Sequence, residues 1–120
     1  MNRDMDLIRD ILLTIDADPE LDGTRWKNFD ASDFPGHSQQ EINYHIDLLF
    51  EANYIDGYKT LDPLPAVSRL TWYGHEFLGS ISDPGVWAKV KERMKGLPTV
   101  ALSVVFELAK AELKKHLQLV

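Results

Sequence analysis

The clearest hydrophobic pattern in the chain lies between residues 38 and 52. Four apolar residues and one histidine recur at helical spacing on one face, and they are Ile42, His45, Ile46, Leu49 and Phe50. Spacing of this kind buries one face of a helix and leaves the other face to solvent. Just before these positions, Ser38-Gln39-Gln40-Glu41 has the form of a capping box, in which the serine hydroxyl accepts a backbone N–H and the glutamate reaches back to the cap. The pattern predicts a main helix that begins after Ser38.

A two-stranded β-ribbon is predicted after this helix. Asn53 suits a left-handed helix end, and the aromatic and β-branched residues that follow, up to Tyr58, suit a strand. The second strand is predicted over residues 67–70, and two prolines stiffen the tip between the strands, at 60–65.

The chain before the main helix predicts one helix and one short strand. Asp4 or Asp6 can cap a helix that runs to about Ile15, where Asp-Ala-Asp-Pro ends it. Residues 24–29 form the candidate strand. Residues 30–37 then leave room for at most one short turn, so the first helix of a helix-turn-helix is abbreviated.

Three more helices are predicted after the ribbon. Thr71 can cap a helix over residues 72–81, in which Gly74 allows another part of the chain to come close. A second helix is marked by Asp83 as cap, by proline at its first position and by Gly96 just beyond its end. A last helix is predicted from Pro98-Thr99 onward. The predicted buried positions of the second and last helices are Trp87, Val90, Met94, Leu97, Leu102, Val105, Phe106, Ala109, Leu113 and Leu117.

The order of these elements predicts an α+β fold that is mainly α. Its winged-helix-like core consists of a helix, a short strand, the main helix and the two-stranded β-ribbon, with additional C-terminal helices. We expect a single domain over residues 1–120, with the core in 1–82 and the two appended helices in 83–120. The appended helices can form a homodimer interface or cover their own core, and the sequence leaves both open.

Composition and charge exclude several classes of site and of protein. The 120 residues include no cysteine, which excludes disulfides, thiolate zinc sites and a cysteine nucleophile. Residues 1–60 carry 13 Asp/Glu against 5 Lys/Arg, and residues 61–120 carry 6 against 8. The N-terminus is too acidic for a signal peptide, and no apolar run is long enough to cross a bilayer. A cytoplasmic protein with no membrane partner is therefore expected.

The exposed face of the main helix supplies the candidate binding residues, which are Gln40, Asn43, Tyr44, Asp47 and Glu51. In a major groove, Gln40 and Asn43 could pair with adenine, while Lys59 and Arg69 of the ribbon contact phosphate. A dimer would add Lys89, Arg93 and Lys95. Asp47 and Glu51 oppose this interpretation, because they would face the same duplex. A protein-binding adaptor that uses Tyr44 and these two acids is the alternative to double-stranded DNA binding.

No metal site, cofactor or enzymatic activity is predicted. The four-residue spacing of His37, Glu41 and His45 is typical of metal ligands, but His37 precedes the helix cap, so the three side chains do not converge. No nucleophile stands at a specific spacing from a base. The aromatic residues Trp26, Tyr54, Tyr58 and Trp72 form either a partner-binding patch or ordinary packing.

Three segments resemble an uncharacterised family of bacterial and bacteriophage proteins, a domain of unknown function. They are the opening Met1-x-Arg-Asp-Met-Asp-Leu-Ile-Arg9, the run from Glu41 to Ile46, and Leu70-Thr-Trp-x-Gly-His-Glu-Phe-Leu78, followed by Asp83 and Val86-Trp87. The main helix and its exit are also distantly similar to winged-helix repressors, although Asn53-Tyr54 stands where these have Gly-Leu. The resemblance implies a winged-helix-like fold and a phage or prophage setting, with no catalytic or ligand residues.

Overall fold

The computed structural model describes residues 2–58, 65–97 and 100–118. Within them the chain forms five helices and a small three-stranded antiparallel sheet, so the predicted α+β, mainly helical class is confirmed. In chain order the elements are α1 (Met5–Ala17), β1 (Lys27–Asn28), α2 (Gln39–Glu51), β2 (Ile55–Tyr58), β3 (Ala66–Leu70), α3 (Trp72–Ile81), α4 (Pro84–Met94) and α5 (Leu102–His116). None of the helices in this described part is long and apolar enough to cross a membrane.

The chain divides into two compact units, residues 1–75 and residues 76–120. The division falls within α3, seven residues before the predicted end of the core at residue 82. The expectation of a single domain, with a core over 1–82 and appended helices over 83–120, stays a prediction.

The sheet of the first unit has the strand order β1-β3-β2. β3 is the central strand, and its residue Ala66 lies between Asn28 of β1 and Tyr58 of β2. A bulge shifts the register between β2 and β3 after Asp56. The first strand is shorter than the predicted range 24–29, because only two residues enter the ladder.

Helix α1 is capped by Asp4, whose carboxylate accepts the backbone N–H of Leu7 at 3.1 Å. Its buried face consists of Leu7, Ile8, Ile11, Leu12 and Ile15. Residues 31–36 form turns and no helix, as predicted for an abbreviated helix-turn-helix. The side chain of Asp30 organises these turns by accepting the hydroxyl and the backbone N–H of Ser32, and these bonds lower the pKa of the Asp30 carboxyl.

Helix α2 begins with the complete capping box that the sequence predicts. The Ser38 hydroxyl accepts the N–H of Glu41, and the Glu41 carboxylate accepts the N–H of Ser38. The helix buries Ile42, His45, Ile46 and Leu49. Asn53 ends it with a φ of 62°, the left-handed conformation expected there.

The chain from the ribbon into α3 crosses the exit of α2 at close range. The Thr71 hydroxyl donates to the carbonyl of Asn53 at 2.6 Å and accepts the N–H of Gly74 at 3.0 Å. The N–H of Thr71 donates to the carbonyl of Tyr54 at 3.0 Å. Thr71 is therefore the predicted helix cap and also the residue that holds α3 against the end of α2.

The second unit contains α4 and α5, and its local signals behave as predicted. Asp83 caps α4 by accepting the N–H of Val86, and Gly96 follows the helix with a φ of 85°. Two predicted core positions were wrong, since Leu97 and Leu117 are each 55% exposed. Both lie just past the end of a helix, where the chain leaves the helical spacing. Helix α5 begins at Leu102, and Pro98-Thr99 lie outside the described residues.

Candidate interaction surface

Two side chains on α2 set its position against the rest of the first unit. His45 is fully buried, and its Nε2 accepts the backbone N–H of Asp4 at 2.7 Å. Its Nδ1 lies 2.6 Å from the carbonyl of Glu41, so Nδ1 carries the proton and the ring is neutral. At the start of the helix, Gln39 donates to the carbonyl of Phe29 at 3.0 Å. These bonds tie α2 to the start of α1 and to the end of β1.

The five predicted contact residues of α2 fall on one side of the helix. Gln40 and Glu51 are exposed, whereas Asn43, Tyr44 and Asp47 are half-buried. Asn43 accepts the side-chain amide of Gln39 at 2.9 Å, so its amide oxygen is already engaged. Gln39 is not among the binding residues predicted from the sequence, although the i,i+4 spacing of a glutamine and an asparagine is a helix-pairing signal.

The surface of α2 is acidic toward its C-terminal end. Asp47 and Glu51 carry its charge there, and α2 contains no lysine or arginine. On the sheet, the guanidinium of Arg69 lies 2.6 Å from the carboxylate of Asp56. This ion pair occupies Arg69, one of the two cations of the ribbon that the sequence predicts as phosphate contacts. Lys59, the other predicted phosphate contact, lies outside the described residues.

Two further ion pairs lie in and before β1, and only the second includes a strand residue. Arg25 lies 3.4 Å from Glu20, and Lys27 lies 3.4 Å from Asp18. All four side chains keep contact with solvent, so each pair contributes little to stability. Together with Arg69, these pairs mean that each described cation between residues 25 and 70 has a carboxylate beside it.

His37, Glu41 and His45 do not assemble as metal ligands. His37 contacts the Glu41 carboxylate at 3.3 Å, whereas both ring nitrogens of His45 are bound to backbone groups elsewhere. No group of three or more His, Asp or Glu residues in the described ranges is placed to hold a metal ion. The pKa of the Glu41 carboxyl is lowered, chiefly by the N–H of Ser38 and then by the His37 side chain.

The aromatic residues divide between surface and core. Trp26, Tyr58 and Trp72 are exposed, whereas Tyr54 is buried, so for Tyr54 the alternative of ordinary packing holds. Burial raises the pKa of the Tyr54 phenol. Trp26 and Tyr58 touch, with ring centroids 6.0 Å apart and planes at 83°.

In the second unit, a shallow cleft of about 440 Å³ lies between α4 and α5 and is lined by both basic and acidic side chains. Glu112 is buried within it and binds Arg93, with Nε and Oε1 2.5 Å apart. Lys89 and Lys115 also line the cleft. Arg93, one of the cations predicted to assist DNA binding in a dimer, is therefore used to neutralise a buried carboxylate.

Comparison with known proteins places the chain in a family. The family model of a hypothetical protein, DUF2513, matches residues 2–101. An uncharacterized protein of Haemophilus influenzae (strain ATCC 51907 / DSM 11121 / KW20 / Rd) is 35% identical over 98 residues, which cover 79% of this chain and 80% of that protein. No solved structure matches. Because the family model matches most of the length of this chain, the chain belongs to the DUF2513 family of hypothetical proteins.

Proposed function

We propose that this protein is a non-catalytic binding module with a winged-helix-like first unit, and that the exposed side of α2 binds another protein. The observation that carries the proposal is the charge of that side, where Asp47 and Glu51 stand without a lysine or arginine on the same helix. A partner with a polar, basic surface complements it. The half-buried Tyr44 supplies a rigid aromatic contact of the kind enriched at protein interfaces.

The electrostatics of the first unit disfavour phosphate as the ligand of α2. Residues 1–75 hold 6 Lys/Arg against 14 Asp/Glu, a net charge of −8. Binding of duplex DNA draws much of its affinity from cations that neutralise phosphate. Arg69 would have to leave Asp56 to make such a contact, and Asn43 would have to release Gln39 to read a base.

Transcription-regulator-like DNA binding is the second candidate, and the connectivity of the first unit favours it. A helix, a strand, a helix and two further strands in the sheet order β1-β3-β2 resemble the winged-helix order, although turns at residues 31–36 stand where the first helix of a helix-turn-helix would lie. In that arrangement α2 corresponds to the helix that enters the major groove. Fold alone does not assign function, so this candidate rests on analogy. The phage or prophage setting and the cytoplasmic location belong to the proposal in the same way.

The test uses the protein as bait in quantitative affinity purification, with cross-linking, from cells that express it. It compares wild type with two variants, in each of which two acidic residues are changed to lysine. Asp47→Lys with Glu51→Lys alters α2. Glu76→Lys with Glu92→Lys makes the same change in net charge on α3 and α4. The proposal predicts a protein that wild type and the control capture equally, and that the α2 variant captures about tenfold less. Equal capture by both variants, or capture of nothing by wild type, would reject it.

The DNA candidate is tested in parallel by fluorescence anisotropy of mixed-sequence duplex DNA at about 50 and 200 mM salt. We expect no binding at the lower salt. Binding that weakens at the higher salt, and weakens further in Arg69→Ala, would replace the protein proposal with the DNA one.

A further inference from the structure

Three cations meet in the cleft between α4 and α5 of the second unit. Lys89 and Arg93 are four residues apart on α4, so they lie on the same face of that helix. On α5, Lys115 follows Glu112 by three residues and shares its face in the same way. These four residues and Glu92 line the cleft of about 440 Å³. Its volume falls in the range of roughly 300–1,000 Å³ that is usual for small-molecule sites.

The buried carboxylate of Glu112 fixes the position of the Arg93 guanidinium. Glu112 is 4% exposed, and its Oε1 lies 2.5 Å from Nε of Arg93. A guanidinium has five N–H donors, and a carboxylate bound to it in the bidentate manner accepts two of them. The other N–H groups of Arg93 remain for a second acceptor, and its side chain is 42% exposed. Because Glu112 already orders the guanidinium, a ligand that binds there loses little affinity to side-chain ordering.

The cations of the cleft exceed what Glu112 neutralises. Lys115 lies 3.9 Å from the same carboxylate, and its side chain is 61% exposed. Lys89 is exposed and has no ion-pair partner within the described part of the chain. Three cations against the buried carboxylate leave a charge of +2, which the exposed Glu92 lowers to +1. An excess of positive charge in a cleft attracts an anion.

We propose that this cleft binds the phosphate group of a small ligand, which is either inorganic phosphate or a phosphate monoester. The planar fork of Arg93 matches two phosphate oxygens, and Lys89 and Lys115 add point charges from the two helices. A phosphate monoester carries about −1.5 to −2 charges at pH 7, so it uses several cations where a carboxylate would use one. A long polyanion such as DNA would extend beyond the cleft, where the net charge of −6 of the chain repels it. The proposal does not rest on the function proposed for α2, since it involves the other unit.

The experiment titrates the full chain with inorganic phosphate and, separately, with glycerol 3-phosphate, and follows the NMR signals of the backbone amides. The ionic strength is held constant with sodium chloride, so that general screening of charges does not change during the titration. The variants Lys89→Ala and Lys115→Ala each remove one lining cation, and Arg93→Lys keeps the charge but removes the planar fork. Lys95→Ala and Lys114→Ala are the matched controls, because each removes an exposed cation of the second unit that does not line the cleft. The same spectra verify that each variant is folded.

We expect saturable binding to wild type with a Kd on the order of 1 mM or lower, and shifts centred on residues 89–93 and 112–115. Lys89→Ala, Lys115→Ala and Arg93→Lys should each raise the Kd about tenfold. The two control variants should change it by less than about twofold. Glu92→Gln removes the exposed carboxylate of the cleft and should lower the Kd roughly threefold. Tighter binding of glycerol 3-phosphate than of inorganic phosphate would identify the ligand as an ester, and the reverse would identify it as free phosphate.

Three results would overturn the proposal. The first is an absence of saturable shifts with either phosphate probe. The second is a Kd that rises equally in the lining variants and in the control variants, because general charge attraction would then explain the binding. The third is binding of mixed-sequence duplex DNA that weakens in Lys89→Ala but not in Lys95→Ala, because the cleft would then belong to a nucleic-acid surface.

Discussion

Gly74 is a position where a single added methyl group should strongly disturb the first unit. A Cβ atom at Gly74 would lie 1.9 Å from the carbonyl oxygen of Tyr54 and 2.9 Å from its carbonyl carbon. Real Cβ atoms essentially never come within 3.0 Å of such atoms, so the α2 exit and α3 would have to separate. The same carbonyl accepts the N–H of Thr71, so the movement would also break that bond.

The expected cost follows from these contacts. Overpacking against rigid backbone costs about 1–3 kcal/mol, and the lost hydrogen bond costs about 1 kcal/mol more. The better helix propensity of alanine returns up to about 1 kcal/mol. We therefore expect Gly74→Ala to lower the free energy of unfolding by about 2 kcal/mol. For a unit of this size, that lowers the Tm by on the order of 10 °C.

Gly79 provides the matched control on the same helix. It is exposed, and a Cβ there would have nothing within 4 Å. Gly79→Ala should therefore stabilise the protein by roughly 0.5–1 kcal/mol through helix propensity alone. Urea and thermal unfolding, followed by far-UV circular dichroism, measure both variants. If Gly74→Ala were as stable as Gly79→Ala, the close approach of Gly74 to Tyr54 would be refuted.

Three other predictions concern charged or polar groups. Because folding lowers the pKa of Glu41 below its ordinary 4.5, its contribution to stability is present above that pH and is lost as the pH falls through the lowered pKa. The free energy of unfolding of wild type should therefore exceed that of Glu41→Gln at neutral pH, and this difference should disappear in acid. A difference that stays constant with pH would contradict the prediction. His45→Phe leaves the Asp4 N–H without its acceptor and should cost about 1–3 kcal/mol in urea unfolding, against less than about 0.5 kcal/mol for Tyr44→Phe. Arg93→Met removes the closer of two cations beside the buried Glu112 carboxylate, since Lys115 lies 3.9 Å away, and it should lower the Tm. Adding Glu112→Met should restore most of the loss; no recovery would mean that the Arg93–Glu112 pair is not the cause.

The outline of the fold could be predicted because its signals are local. The capping box of α2, the left-handed Asn53 and the cap, proline and glycine around α4 each act within a few residues of one another. Their partners are fixed by chain connectivity, so a sequence pattern is enough to identify them. The boundaries of α3 were predicted for the same reason. Gly74 predicted a close approach, but only the fold decided that its partner is Tyr54. The helical spacing likewise identified the buried face of α2.

The tertiary structure decided what depends on contacts between distant residues. The sequence leaves Tyr54 either in a partner-binding patch or in ordinary packing, and the folded chain buries it. It places Asn43 on the free side of α2, but Gln39 already binds its amide oxygen. The pairing of Trp26 with Tyr58 joins positions 32 residues apart, which no periodicity links. The sequence by itself determined the helices and the acidic charge, because propensity, capping and composition are properties of short segments. Only the folded chain determined which side chains remain open to a partner, since that depends on which distant groups have already bound one another.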